Sequence, residues 1–121
     1  MQNFDHEKLK VYRTAIRFVA WSSSLLEQVP KSSAVHNQLD RASISIPLNI
    51  AEGNGKYRSA DRCRYFDIAR GSALECAACL DVLVARGTVP QELVEPGKKM
   101  LLEIVSMIVG LIRSNSEQRS I

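Results

Sequence analysis

The sequence predicts an all-α protein, an antiparallel up-and-down four-helix bundle. Three observations carry that prediction. Apolar residues recur at intervals of three and four rather than two, which is the helical period. Helix breakers cluster at three joints: Pro30-Lys31-Ser32-Ser33, Gly53-Asn54-Gly55, and Gly87 with Pro90. Each joint is short, so consecutive helices should pack antiparallel. The 121 residues suffice for one domain around one core. The helices are read as 5–29, 33–53, 59–86 and 90–115, with a polar tail at 114–121 expected to fray.

The joints set the boundaries. Pro30 ends the first helix, and Ser32 or Ser33 can cap the second by accepting a bond from a free N–H. Gly53, Asn54 and Gly55 tolerate positive φ and should end the second helix. Ser59 is the expected cap of the third helix, with Arg62 where a capping box would place Glu. Gly87 suits a left-handed C-terminal position, and Pro90 suits a first turn. Pro47 lies inside the second helix and should cost one ladder bond and kink it there. Pro96-Gly97 implies either a start of the fourth helix near Pro96 or a kink within it.

The helices carry more apolar surface than one bundle can hide. In the second helix Val35, Leu39, Ala42, Ile46 and Ile50 form the core stripe, yet Ile44, Leu48 and Ala51 form another on nearly the opposite side. In the first, Leu9, Tyr12, Ile16, Val19 and Leu26 make one stripe, widened by Val11, Ala15, Phe18, Leu25 and Val29. The third adds Ile68, Cys79 and Val82 beside Phe66, Ala69, Ala73, Leu80 and Val84. Either crossing angles bury unusually wide faces within one subunit, or the second stripes meet another subunit. Assembly is the favoured reading, because two helices show the excess on separate sides.

A polar stripe, Gln38, Arg41, Ser45, Asn49 and Glu52, runs between the two apolar stripes of the second helix at spacings of three and four. It is expected to be partly buried. Arg41 should then pair with Glu75 or Glu52, and Asn49 should bond backbone or side chains across helices two and three. Such a network would fix register. A catalytic use of Glu52, Glu75 and Arg41 is the weaker reading, since no nucleophile–base set accompanies them.

Other chemistry is sparse. Cys76-x-x-Cys79 lies within a helix, and zinc would need two more ligands. His6 and His36 stand alone, and no phosphate-loop or nucleophile-elbow motif occurs. Neither enzyme activity, metal nor cofactor is expected. Three cysteines, an odd number, fit a reducing cytoplasm better than a disulfide framework. Residues 1–10 are polar and do not read as a secretory leader, and no apolar run is long enough to span a bilayer.

Charge points to a possible partner. The net charge of +3 permits an anionic ligand without demanding one. Residues 53–64 hold Lys56, Arg58, Arg62 and Arg64 against the single acid Asp61, with Tyr57 among them. Cations, one aromatic and a helix N-terminus together can hold phosphates and stack a base. Lys10, Arg13 and Arg17 add a basic stripe on the outer face of the first helix. The alternative is an ordinary solvated surface.

One run of motifs resembles a known family. Gln38-Leu39-Asp40-Arg41-Ala42, Ser45-Ile46-Pro47 and Asn49-Ile50-Ala51-Glu52-Gly53 resemble the proteins encoded in intervening sequences of bacterial large-subunit ribosomal RNA genes. Ile68-Ala69-Arg70-Gly71-Ser72 with Glu75 looks like that family's third-helix signature, and Phe4, Leu9, Val11 and Tyr12 like its opening. The resemblance implies a four-helix bundle and a ring-shaped homopentamer, without known catalysis. The family is similar to accessory variability proteins of diversity-generating retroelements, which bind a reverse transcriptase and nucleic acid. Two departures stand out. Lys56 occupies the place of an expected arginine, and Cys76, Ala77 and Ala78 replace bulkier or hydroxyl residues. The sequence therefore leads to a non-enzymatic, oligomeric RNA- or DNA-binding protein, or to an interaction scaffold for a partner such as a reverse transcriptase.

Overall fold

A computed structural model describes residues 3–116. Four helices make up the bundle: α1 (Lys10–Leu26), α2 (Ala34–Asn54), α3 (Ser59–Ala85) and α4 (Gln91–Asn115). Each helix packs on its two neighbours in a cycle, most extensively α3 against α2 and α4. Among the described residues no helix is long and apolar enough to cross a membrane.

Several boundaries differ from expectation. The first segment is split: a single 3-10 turn, Asp5–Lys8, precedes α1, with Leu9 extended between them. Ser33 caps α2 by accepting from the Val35 N–H at 3.2 Å. Ser59 does not cap α3. Arg58 occupies the cap position and supplies no side-chain bond. Gly87 is left-handed, with φ of 73°. Gly55 is not, and α2 runs on through Gly53 and Asn54. The reason glycine stands at 53 is space: a Cβ there would lie 2.9 Å from a Phe66 ring carbon and 3.0 Å from the Arg62 carbonyl. Both α2 and α4 continue through their prolines, so Pro96 lies inside α4, which starts at Gln91. Ser114 and Asn115 are helical rather than frayed. The rest of the expected tail, 117–121, lies outside the described residues.

The core stripe of α2 is buried as read: Val35, Leu39, Ala42, Ile46 and Ile50. In α1 the inner face is drawn mainly from the widening set, with Leu26 from the first stripe. Val11, Ala15, Phe18, Leu25 and Leu26 are buried, while Ile16 is exposed. The inner face of α1 also carries Thr14 and Ser22, which disguise it in the sequence. Their hydroxyls donate to the Lys10 and Val19 carbonyls of their own helix, so both can be buried at little cost. Phe18 and Trp21 pack together, and Trp21 reaches α4 where Gly97 leaves it room. A Cβ at 97 would overlap the indole.

Candidate nucleic-acid interface

The up-and-down topology gathers four chain segments at one end of the bundle. These are the opening turn with the start of α1, the end of α2, the 55–58 loop with the start of α3, and the end of α4. Two side-chain bonds confirm the grouping. Asn54 Nδ2 donates to Asp5 at 2.9 Å, and Arg62 Nε donates to Asn115 at 2.8 Å. Lys10, Arg13, Lys56, Arg58, Arg62, Arg64 and Arg113 therefore share this end, against Asp5, Glu7, Glu52 and Asp61.

These cations are not equivalent. Arg62 is a clamp rather than a surface charge. Its Nη1 donates to the carbonyls of Asn54 (2.7 Å) and Lys56 (3.2 Å), its Nη2 to Asn54 Oδ1 (3.3 Å), and its guanidinium lies 5.9 Å from the Phe66 ring centre. Its assignment to phosphate contact is corrected accordingly, since four of its bonds already bind loop, α3 and α4 together. Lys56 pairs with Glu52 at 3.2 Å and stands over Tyr65. Arg64 lies over the same ring at 4.9 Å. Arg58 and Arg64 are exposed, with no carboxylate at ion-pair distance among the described residues. On α1, Lys10, Arg13 and Arg17 are all exposed. Arg13 donates to the Glu7 carbonyl and Arg17 to the Thr14 hydroxyl, bonds that leave their charges uncompensated. Tyr57 is 100% exposed.

The polar stripe of α2 departs from expectation at its centre. Arg41 is exposed and, among the described residues, pairs with neither Glu75 nor Glu52. The stripe lies along the open rim of α2, where one subunit supplies nothing to cover it, so no desolvation forces a partner on Arg41. Glu75 instead accepts from Gln38 at 3.0 Å, and Glu52 holds Lys56. Asn49 donates within its own helix, to the Ser45 carbonyl (2.8 Å) and hydroxyl (2.9 Å). Ser45 rather than Asn49 reaches across to α3, meeting Ser72 at 2.8 Å. Register between α2 and α3 thus rests on two neutral or singly charged contacts, not on a buried ion pair.

The apolar second stripes are mostly open. Leu48 is 62% exposed, and Ile44, Ile68 and Val82 are also exposed, while Ala51 is half-buried. Leu48 and Ile68 each stand one turn from the Ser45–Ser72 contact, on the same side of it. Cys79 does not belong to this surface. It is buried within its own subunit, forming part of the floor of a cleft of about 270 Å³ between α2 and α3 that Gln38, Glu75 and Val82 also line. Burial pushes the Cys76 thiol up to about 12, with Cys79 and Glu75 adding to the effect. Burial also raises Cys79, followed by Glu75. Both thiols stay protonated at neutral pH and pack as small apolar groups.

Sequence reasoning missed two features. The Arg62 clamp was signalled only by an arginine where a capping box wants an acid. Leu74 and Leu102 form a second exposed patch over a groove of about 150 Å³ between α3 and α4. The adjacent pair Leu101-Leu102 was its signal, since neighbouring positions on a helix lie about 100° apart and only one can face the core.

A solved structure of a protein of unknown function, from the S23 ribosomal protein family of Bacteroides thetaiotaomicron VPI-5482, is similar to this chain. It superposes with a TM-score of 0.79 at 23% identity, covering 85% of this chain and 98% of that one. At that identity the likeness bears on the fold alone. No curated protein matches the chain. The family profile described as 23S rRNA-intervening sequence protein matches residues 7–110, from the opening turn through most of α4. The chain belongs to the 23S rRNA-intervening sequence protein family.

Proposed function

We propose that this protein is a non-enzymatic, oligomeric, cytoplasmic nucleic-acid-binding protein that holds RNA or DNA by its phosphates. One observation carries the reading: Arg58 and Arg64, without an acidic partner among the described residues, stand with Lys10 and Arg13 at one end of the bundle. The N-terminus of α3 lies at the same end, and its dipole is also positive there. Arg58 at the N-cap of α3 and Lys10 in the first turn of α1 oppose their helix dipoles slightly, with Asp61 in the first turn of α3 offsetting part of the effect. An arrangement that opposes stability in this way is explained by an anion that would relieve it. The family's description adds ribosomal RNA as the first ligand to try. Assembly would repeat the patch around a ring, in the five-subunit form the resemblance implies, and multiply the phosphate contacts.

A salt titration tests the reading. In gel shifts with structured RNA and with duplex DNA, affinity should fall linearly on a log–log plot. With about four phosphates held, the slope on duplex DNA should be about −3 to −4. No binding to either probe at low salt would sink the proposal.

The exposed Leu74 and Leu102 favour a second reading, a scaffold for a protein such as a reverse transcriptase. It predicts a partner whose recovery by pull-down survives nuclease treatment.

A further inference from the structure

Tyr57 is the one fully exposed ring among the described aromatics. Tyr12 packs against His6, Phe18 against Trp21, Tyr65 lies beneath Lys56 and Arg64, and Phe66 is buried under Arg62. An aromatic ring in water contributes nothing to the core, so the fold gives no reason for Tyr57 to be aromatic.

Its backbone is nonetheless held. The Lys56 N–H donates to the Gly53 carbonyl at 3.1 Å, and the Lys56 carbonyl, in the peptide joining Lys56 to Tyr57, accepts from Arg62. Arg62 itself is braced by Asn54 and Asn115. On the other side Tyr57 is followed by Arg58 at the start of α3. Arg64 lies against Tyr65 nearly two turns further along α3. The ring is thus presented on a loop fixed from behind, with the exposed Arg58 next in sequence and the exposed Arg64 on the helix that follows.

We propose that Tyr57 stacks on an unpaired base, with Arg58 and Arg64 holding the flanking phosphates, so that the ligand class is single-stranded or looped nucleic acid rather than continuous duplex. This rests on the phosphate-binding reading above and narrows it. In a duplex both faces of each internal base are already stacked, and the loop could reach only phosphates. An unpaired base offers a free face, and every base has one, so the contact selects for strandedness without reading sequence. Either RNA or DNA can supply that chemistry.

Fluorescence anisotropy with labelled oligo(U), oligo(dT) and a blunt duplex of equal phosphate count tests it on the full chain. The unaltered protein should bind the single strands more tightly than the duplex. Tyr57→Ala should weaken single-strand binding about tenfold or more, as removal of a stacking ring does elsewhere, and leave duplex binding within about twofold. Tyr57→Phe, which keeps the π face, should retain the single-strand affinity. Tighter binding to oligo(U) or to oligo(dT) supports the proposal and identifies the source, and equal binding to the two supports it for both. Single-strand affinity unchanged by Tyr57→Ala overturns it and leaves phosphate binding standing. Failure of the unaltered protein to bind any of the three probes at low salt overturns both.

Discussion

Phe66→Ala is expected to lower the unfolding free energy by about 3–5 kcal/mol, the cost of emptying a buried aromatic site. Phe66 is completely buried, and the site cannot close easily around the loss. Gly53 already lets the α2 backbone approach the ring as closely as it can, and the Arg62 carbonyl crowds the same spot. Arg62 also rests its guanidinium over the ring while holding the loop before α3. The cavity therefore opens directly beneath the clamp that shapes the basic end. Urea unfolding followed by circular dichroism should show a lower midpoint with an unchanged slope. Phe4→Ala, at an exposed position, should stay within about 0.5 kcal/mol. A loss below about 1 kcal/mol for Phe66 would mean that the α2–α3 contact is looser than its geometry implies.

The second large effect is expected on assembly. Leu48→Asp combined with Ile68→Asp should convert an oligomer into a species near 13.5 kDa in analytical ultracentrifugation, with helicity retained. Each fully buried Leu or Ile is worth about 1.5–3 kcal/mol, and each introduced carboxylate would have to be stripped of water without a partner. Both positions are exposed in one subunit, so the fold itself should tolerate the change. Leu102→Asp, on α4 at the groove where it meets α3, distinguishes the geometry. A ring joins unlike surfaces and would be broken by this change too, whereas a two-fold contact through α2 and α3 would survive it. A monomeric unaltered protein at high concentration would contradict the assembly reading outright.

What was legible in the sequence follows from which interactions are local. The core of α2 depends on spacing and is legible directly, and the cap depends on one hydroxyl, which the sequence narrows to Ser32 or Ser33 and the structure assigns to Ser33. The inner face of α1 does not stand out within its wide apolar surface, because hydrophobicity alone cannot tell that Thr14 and Ser22 satisfy their own hydroxyls and can be buried. Gly53 was read as a turn residue when its role is close approach to Phe66, a contact between positions distant in sequence. Arg41 was expected inside because stripes on both sides of it are apolar, but only one of those stripes is covered within a subunit. The basic cluster was visible as composition. Which of its members are free and which are structural, Arg62 above all, depended on where the loop carbonyls and Asn115 came to lie.

Charge reversal at the two ends of the bundle tests the central claim most directly. Arg58→Glu with Arg64→Glu and Lys31→Glu with Arg86→Glu change the net charge equally, but the second pair lies at the far end, beside the 27–33 and 86–90 joints. If phosphates are held at the basic end, the first variant should lose affinity for an RNA or single-stranded DNA probe by about a hundredfold at low salt, and the second by no more than a few-fold, since only its long-range field has changed. Equal losses, or no loss from the first variant, would contradict the account.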